Sequence, residues 1–262
     1  MDDPTSRFAE LVQGPESLVS LDRASLLIAA HAYPNLDVDA EVAALDDLAT
    51  HCPEPTLEGW RRYLFEELRF TGNVEQYYDP ANSFLNEVRR RRIGLPISLS
   101  VLGMEVGRRL GLGLVGVGMP GHFLIQHVDA DPPVWVDPFA GGRVLDRAAC
   151  EERFHVVNGA STPFLESYLD PVGPRAILAR MLANLKAIYA TRGNLEALAW
   201  VFALRLAIPG IPPLERRDLA RVLGSTGQFV DAAEALEELA ETLPSQAPSL
   251  ISEAVALRAR LN

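Results

Sequence analysis

Three short runs decide the fold: R-R-I-G-L-P-I-S-L-S-V-L-G-M-E-V-G-R-R-L-G-L (Arg91–Leu112), P-G-H-F-L (Pro120–Leu124) and V-W-V-D-P-F (Val134–Phe139). Pro96 suits a first helical position, where its missing N–H costs nothing. From there Leu99, Leu102, Val106 and Leu110 form one apolar stripe, with Ile97, Val101 and Met104 beside it. A helix apolar on most sides is a buried one, and it stops at Gly111. Leu114–Met119 then reads as a strand, Pro120-Gly121 as a turn, His122–Val128 as a strand and Val134–Val136 as another, with Asp129–Pro133 turning between the last two. The expected core is a small antiparallel meander packed on one buried helix, an α+β arrangement.

Working outward, residues 1–70 read as a helical N-terminal region. Leu18–Ala30, Val38–Thr50 and Leu57–Leu68 carry apolar residues three and four apart, broken by Y-P-N at Tyr33 and C-P-E-P at Cys52. Asp79-Pro80 opens a further helix as cap and first residue. Residues 71–173 hold the meander. Residues 174–262 are helical and repetitive: Asn184–Leu195 lies over Asp218–Phe229 at an offset of 34 residues, with Gly193 and Gly227 coinciding in the turns. Paired helices at that period resemble the tetratricopeptide repeat. Such a region either takes a protein or peptide partner in its concave face or buttresses the core.

The 262 residues are 48% hydrophobic and 23% charged, as in ordinary globular proteins, and the net charge is −11. That balance argues against a nucleic-acid surface, which needs clustered Lys and Arg. The one basic run, Arg89–Arg92, reads as a solvated helix end favoured by the helix dipole. The acidic start has no apolar core, and the apolar runs fall short of the ~20 residues of a membrane span, so the expected place is the cytoplasm without membrane contact. Cys52 and Cys150 have neither disulfide-framework nor metal-ligand spacing, so no metal or other cofactor is expected.

His122 directly follows Pro120-Gly121, a placement suited to the mouth of a site, with Gly121 lining it. Asp137 precedes a proline and either caps that turn or orients His122. A histidine and an aspartate on neighbouring strands, facing a helix start, form the skeleton of a nucleophilic hydrolase or acyl-transferase site. Ser98, near the helix start, is the candidate hydroxyl, or else it bonds the backbone there. Asn82 either caps its own helix or points into the cleft. His127 lies an odd number of residues from His122, so strand alternation sends it to the other face.

The segments L-D-R-A (Leu21–Ala24), Y-Y-D-P-A-N-S-F-L-N, R-R-I-G-L-P-I-S-L, R-R-L-G-L, P-G-H-F-L and D-P-F-A-G-G resemble, in order and spacing, the bacterial SirB-type proteins, from about Leu21 to Leu261. The resemblance implies a transglutaminase-like core with a papain-like fold, followed by tetratricopeptide repeats. That superfamily uses Cys, His and Asp in chain order. His122 and Asp137 match the last two. The gap-free match puts Pro96 where the thiol belongs, so the implied protein lacks its usual nucleophile. Two functions follow as expectations: a non-catalytic or weakly catalytic interaction protein with a retained His/Asp cleft to which Asn82, Pro96 and Gly121 contribute, or a hydrolase or acyl-transferase built on Ser98, His122 and Asp137.

Overall fold

The computed structural model describes residues 3–261. Its helices run α1 Pro4–Gln13, α2 Leu21–Ala32, α3 Val38–Thr50, α4 Leu57–Arg61, α5 Leu85–Arg91, α6 Pro96–Arg109, α7 Arg147–Asn158, α8 Pro174–Arg192, α9 Leu195–Ala207, α10 Glu215–Ser225, α11 Phe229–Thr242 and α12 Ala247–Arg258. The strands are β1 Thr71–Gly72, β2 Ile93–Gly94, β3 Leu114–Val117, β4 Leu124–His127, β5 Val134–Asp137, β6 Arg143–Leu145 and β7 Pro171–Val172. The chain divides into two compact units, 19–181 and 1–18 with 182–262.

In the 19–181 unit the meander is present. A five-stranded antiparallel sheet runs in the order β6-β5-β4-β3-β7, with Gly116 opposite Ile125, Ile125 opposite Val136 and Trp135 opposite Leu145. Alternation along β4 gives the sheet two apolar faces. Ile125 points at α6, where the absent side chain of Gly103 lets both Ile125 and Trp60 press onto the helix backbone. The Trp60 indole N–H donates to the Gly103 carbonyl at 3.0 Å. Leu124, Val117, Met119, Trp135 and Leu145 pack on the other side with Cys150 and Phe154 of α7. The sheet is therefore a layer between α6 and α7, and α6 is buried from Pro96 to Gly107 as its all-round apolar pattern requires. After α4 the hydrogen bonds widen to five-residue spacing, as in Leu68 N–H to Tyr63 O at 2.9 Å.

The arginine run is only partly a solvated end: Arg90 and Arg92 are exposed, while Arg89 and Arg91 are half-buried. Arg89 holds Glu41 with two bonds at 2.8 and 2.9 Å, Arg90 pairs with Glu87 at 2.6 Å, and Arg91 reaches Asp79 at 3.0 Å and Asn82 at 2.9 Å. Arg89, Arg91 and Arg92 tie α5 to neighbouring segments, Arg92, in the left-handed region at φ 61°, donating to Leu68 O at 3.2 Å, whereas the Arg90 pair lies within α5.

In the other unit α1 packs with the C-terminal helices, its first turn capped by Asp3. The turn after α8 passes through Gly193 at φ 66° and the turn before α11 through Gly227 at φ 83°. Both are left-handed positions at helix ends, where glycine carries no Cβ penalty. Small residues set the interhelix spacing: Ala220, Ala232, Ala233, Ala240 and Ala254 are buried with Leu236, Leu239 and Leu250. Among the described residues no helix is long and apolar enough to cross a membrane.

Candidate active site

His122 sits two residues before β4, not within it. Met119-Pro120-Gly121-His122 is a β-turn closed by His122 N–H to Met119 O at 3.0 Å, with Gly121 at φ 74°. Proline then glycine is the sequence of a type II turn. A Cβ on Gly121 would also lie 2.5 Å from Val157, so the turn packs tightly on α7. Asn158 Nδ2 donates to Pro120 O at 3.0 Å and holds it there. Strand alternation therefore does not relate His122 to His127, which lies half-buried at the end of β4.

Asp137 ends β5, where it caps the Asp-Pro turn and lies beside His122. Its Oδ1 accepts the Ala140 N–H at 3.1 Å, closing the Asp-Pro turn. Its Oδ2 stands 2.9 Å from His122 Nε2 and 3.4 Å from Arg153 Nε. The two nitrogens are at ion-pair distance, yet neither N–H points along the line of a hydrogen bond to the oxygen. The distance fixes the pairing and the angle says it is not tightly aligned. Both side chains are buried, at 3% and 1% exposure for the whole residues. A proton on Nε2 facing the carboxylate leaves Nδ1 as the ring's free lone pair. Replacing Asp137 with Asn should shift the His122 tautomer balance, read from its ring ¹⁵N resonances. Identical spectra would mean that the two side chains do not interact.

Ser98 is brought to a different partner. Its hydroxyl donates to Asn82 O at 2.5 Å, lies 3.2 Å from Leu95 O, and accepts the Leu95 N–H at 3.0 Å. A hydroxyl has one proton to give, and here it is committed to a buried carbonyl. Gly94 is needed for this cap, since a Cβ there would meet Ser98 Oγ at 2.8 Å. No bond joins Ser98 to His122 among the described residues. Pro96 is the buried first residue of α6. Asn82 is fully buried, with its Oδ1 accepting from Asn73 and Arg91 and its Nδ2 donating to the Gln76 and Tyr77 carbonyls. Its amide is consumed in holding the 73–79 loop, and Gly121 alone of the three binding candidates is exposed.

The thiols lie elsewhere. Cys150 is completely buried in α7, and desolvation, followed by the charges of Asp146 and Asp137, pushes its pKa up to about 12. Burial likewise raises the Cys52 thiol, partly offset by its bond to Glu54 O. Neither is poised as a thiolate. Among the described residues no group of three His, Cys, Asp or Glu could hold a metal ion.

Sequence inspection did not single out the aromatic and cationic wall. The His122 ring lies edge-on to Phe139 at 6.1 Å, Phe139 to Tyr77 at 6.0 Å, and Tyr77 to Tyr78 at 5.4 Å. Gly72 admits Phe139, whose ring would be 2.4 Å from a Cβ there. Arg180 of α8 donates from Nη2 to Met119 O at 3.0 Å and to His122 O at 2.8 Å.

The sheet thus lies between α6 and α7 and carries a His–Asp pair at its end. The match to the family model of the transglutaminase-like superfamily covers residues 31–183, and the chain belongs to that superfamily. It is similar to a UPF0162 protein of Xylella fastidiosa, 41% identical over 189 residues, covering 67% of this chain and 66% of that one. It is also similar to a UPF0162 protein of Pseudomonas aeruginosa, 34% identical, covering 63% and 60%. The match thus spans just under two thirds of these relatives' lengths. Human F-box only protein 21 is 30% identical over 145 residues, 52% of this chain and 22% of that protein. No solved structure matches.

Proposed function

We propose that this is a SirB-type protein in which a transglutaminase-like core, without thiol chemistry, serves as a binding and regulatory domain, while α8–α11 act as tetratricopeptide-like repeats that take a protein or peptide partner. The carrying observation is the start of α6. Pro96 has no nucleophile, and the Ser98 hydroxyl is spent on the Asn82 carbonyl and the Leu95 N–H. An acyl transfer needs a nucleophile within hydrogen-bond reach of its base, and His122 faces Asp137 instead. The glycine turns at 193 and 227, 34 residues apart, support the repeat reading. In F-box only protein 21 the matched segment is a fifth of a longer chain, which favours a domain that works by combination with others.

The test is covalent. The full chain is mixed with p-nitrophenyl esters and with a glutamine peptide plus a primary amine, and its intact mass and turnover are followed. The expected result is no acyl adduct, and no turnover that depends on His122 or Ser98. An adduct mapped to Ser98 or to either cysteine, or hydrolysis abolished by Ser98→Ala, would favour the hydrolase reading and overturn this one.

A further inference from the structure

The arginines drawn into the interior of the 19–181 unit have carboxylate partners. Arg89 has Glu41 at 2.8 Å, Arg91 has Asp79 at 3.0 Å and Arg109 has Asp22 at 2.7 Å. Arg61 holds Glu58 at 2.6 Å. Arg180 breaks the pattern. It is largely enclosed, and no carboxylate lies within ion-pair distance of it among the described residues. Its Nη2 uses both hydrogens on the Met119 and His122 carbonyls, and its guanidinium carbon lies 5.5 Å from the Phe123 ring centroid. The Nε–H and the two Nη1 hydrogens of the fork have no protein acceptor. These nitrogens are not sealed from solvent, so an incoming anion can reach them, while the carbonyls and the ring face hold the guanidinium in place.

The surroundings concentrate the same sign. Arg180 is close enough to Tyr77 that its charge offsets part of the rise that burial imposes on that phenol. Tyr77 leads through Phe139 to His122, and Arg153 stands behind Asp137. Among the described residues, the charged and titratable groups tied to the turn or to its partners are Arg180, Arg153, His122, Tyr77 and Asp137. In a chain of net charge −11, this is a local excess of cation beside an aromatic wall with Val74 and Tyr78 exposed at its rim.

We propose that the His122 cleft binds a ligand bearing a free carboxylate next to an aromatic or apolar group, with Arg180 as the carboxylate-binding residue. With both Nη2 hydrogens on carbonyls, the Nη1 hydrogens or the Nε–H of Arg180 remain to give a carboxylate a charge-assisted bond at one point, and the Tyr77–Phe139 wall takes the apolar body. The proposal rests on the reading of the cleft as a binding site. It adds that the ligand is an anion, such as the end of a peptide chain with an aromatic last residue.

The test follows the His122 ring signals of the full-length, isotope-labelled protein by NMR. The probes are N-acetyl-phenylalanine and its carboxamide, which differ only in the charged group. The acid should shift His122 saturably at concentrations about tenfold lower than the carboxamide, the factor expected for a charge-assisted bond over a neutral one. Arg180→Gln should erase that preference, while Arg221→Gln, on α10 in the other unit, should leave it intact. Equal affinity for the two probes, no shift with either, or a preference that survives Arg180→Gln in a folded variant would overturn the proposal. Equal affinity would still leave the cleft a binding site, whereas a covalent adduct would remove that reading. The acid–amide comparison on the wild type needs no variant, so it decides even if loss of the Arg180 bonds unfolds the 119–122 turn.

Discussion

Arg109→Met should destabilise the fold by about 3–5 kcal/mol at neutral pH, the usual cost of removing one partner from a buried ion pair. Arg109 serves three carboxylates: Nη2 reaches Asp22 at 2.7 Å, Nη1 reaches Glu105 at 2.9 Å and Nε reaches Asp46 at 2.6 Å. Asp22 is 2% exposed and Glu105 6%. Without Arg109 the remaining cation is Arg108, which bonds Glu105 at 2.9 Å but is 61% exposed and 3.5 Å from Asp22, so the buried Asp22 loses its main partner. The pH dependence has a definite sign. Burial raises the Asp22 pKa, but its bonds from Ser20, Arg109 and the Arg23 N–H more than offset this and leave it lowered. Its stabilisation is present above the unfolded carboxylate pKa and lost as pH falls through the folded one. Glu105 is raised, first by burial and then by the charge of Asp22. Its contribution is favourable below the unfolded pKa and is lost as pH rises through the folded value. Removing Arg109 pushes both carboxyls toward the protonated form. The gap between wild type and variant should therefore narrow from pH 7 toward about pH 4, the ordinary carboxylate range. Urea unfolding across that interval measures it. A loss that stays the same at every pH would mean that the cluster's charges do not set its stability.

The same cluster explains how much of the fold was readable. L-D-R-A supplies Asp22 and R-R-L-G-L supplies Arg108 and Arg109, and the two segments bond to each other. Likewise Y-Y-D-P-A-N-S-F-L-N meets R-R-I-G-L-P-I-S-L through Asp79–Arg91, Asn82–Arg91 and Ser98–Asn82. P-G-H-F-L meets D-P-F-A-G-G through His122 and Asp137. The quoted runs are thus halves of three interlocked contacts. Periodicity located α3, α6 and the three meander strands because each buries a face whose spacing is written locally. It could not say that α1 packs with α9, since an apolar stripe does not name its partner. It placed His122 in a strand because an apolar run follows it, whereas the Met119–His122 bond delays β4 to Leu124. His122 and Asp137 were legible because turn residues mark both. Arg180 was not, because one arginine in a helical run looks like any solvated one until its neighbours are known.

Asn82→Ala should cost at least about 3 kcal/mol, because it strands several buried polar groups at ~1–3 kcal/mol each. The side chain is completely enclosed and makes four bonds: from Asn73 Nδ2 at 3.0 Å, from Arg91 Nη2 at 2.9 Å, to Gln76 O at 2.7 Å and to Tyr77 O at 3.2 Å. Alanine leaves two donors and two carbonyls without their protein partner. The backbone carbonyl of residue 82 remains to receive Ser98, so α6 should keep its start while the 73–79 loop loosens. That loop carries Tyr77, whose contact with Phe139 forms the wall beside His122. Amide exchange should accordingly accelerate over Gln76–Asp79 well before it does in α6, and thermal unfolding should shift downward. Asn82→Asp separates the contributions. It keeps the acceptor for Asn73 and Arg91 but turns the donor toward Gln76 and Tyr77 into a second acceptor, placing like partial charges together. Its loop should exchange as fast as that of the alanine variant, even though the Arg91 contact gains charge. A variant within ~1 kcal/mol of wild type, with unchanged exchange over the loop, would show that the buried amide is not what holds the aromatic wall in place.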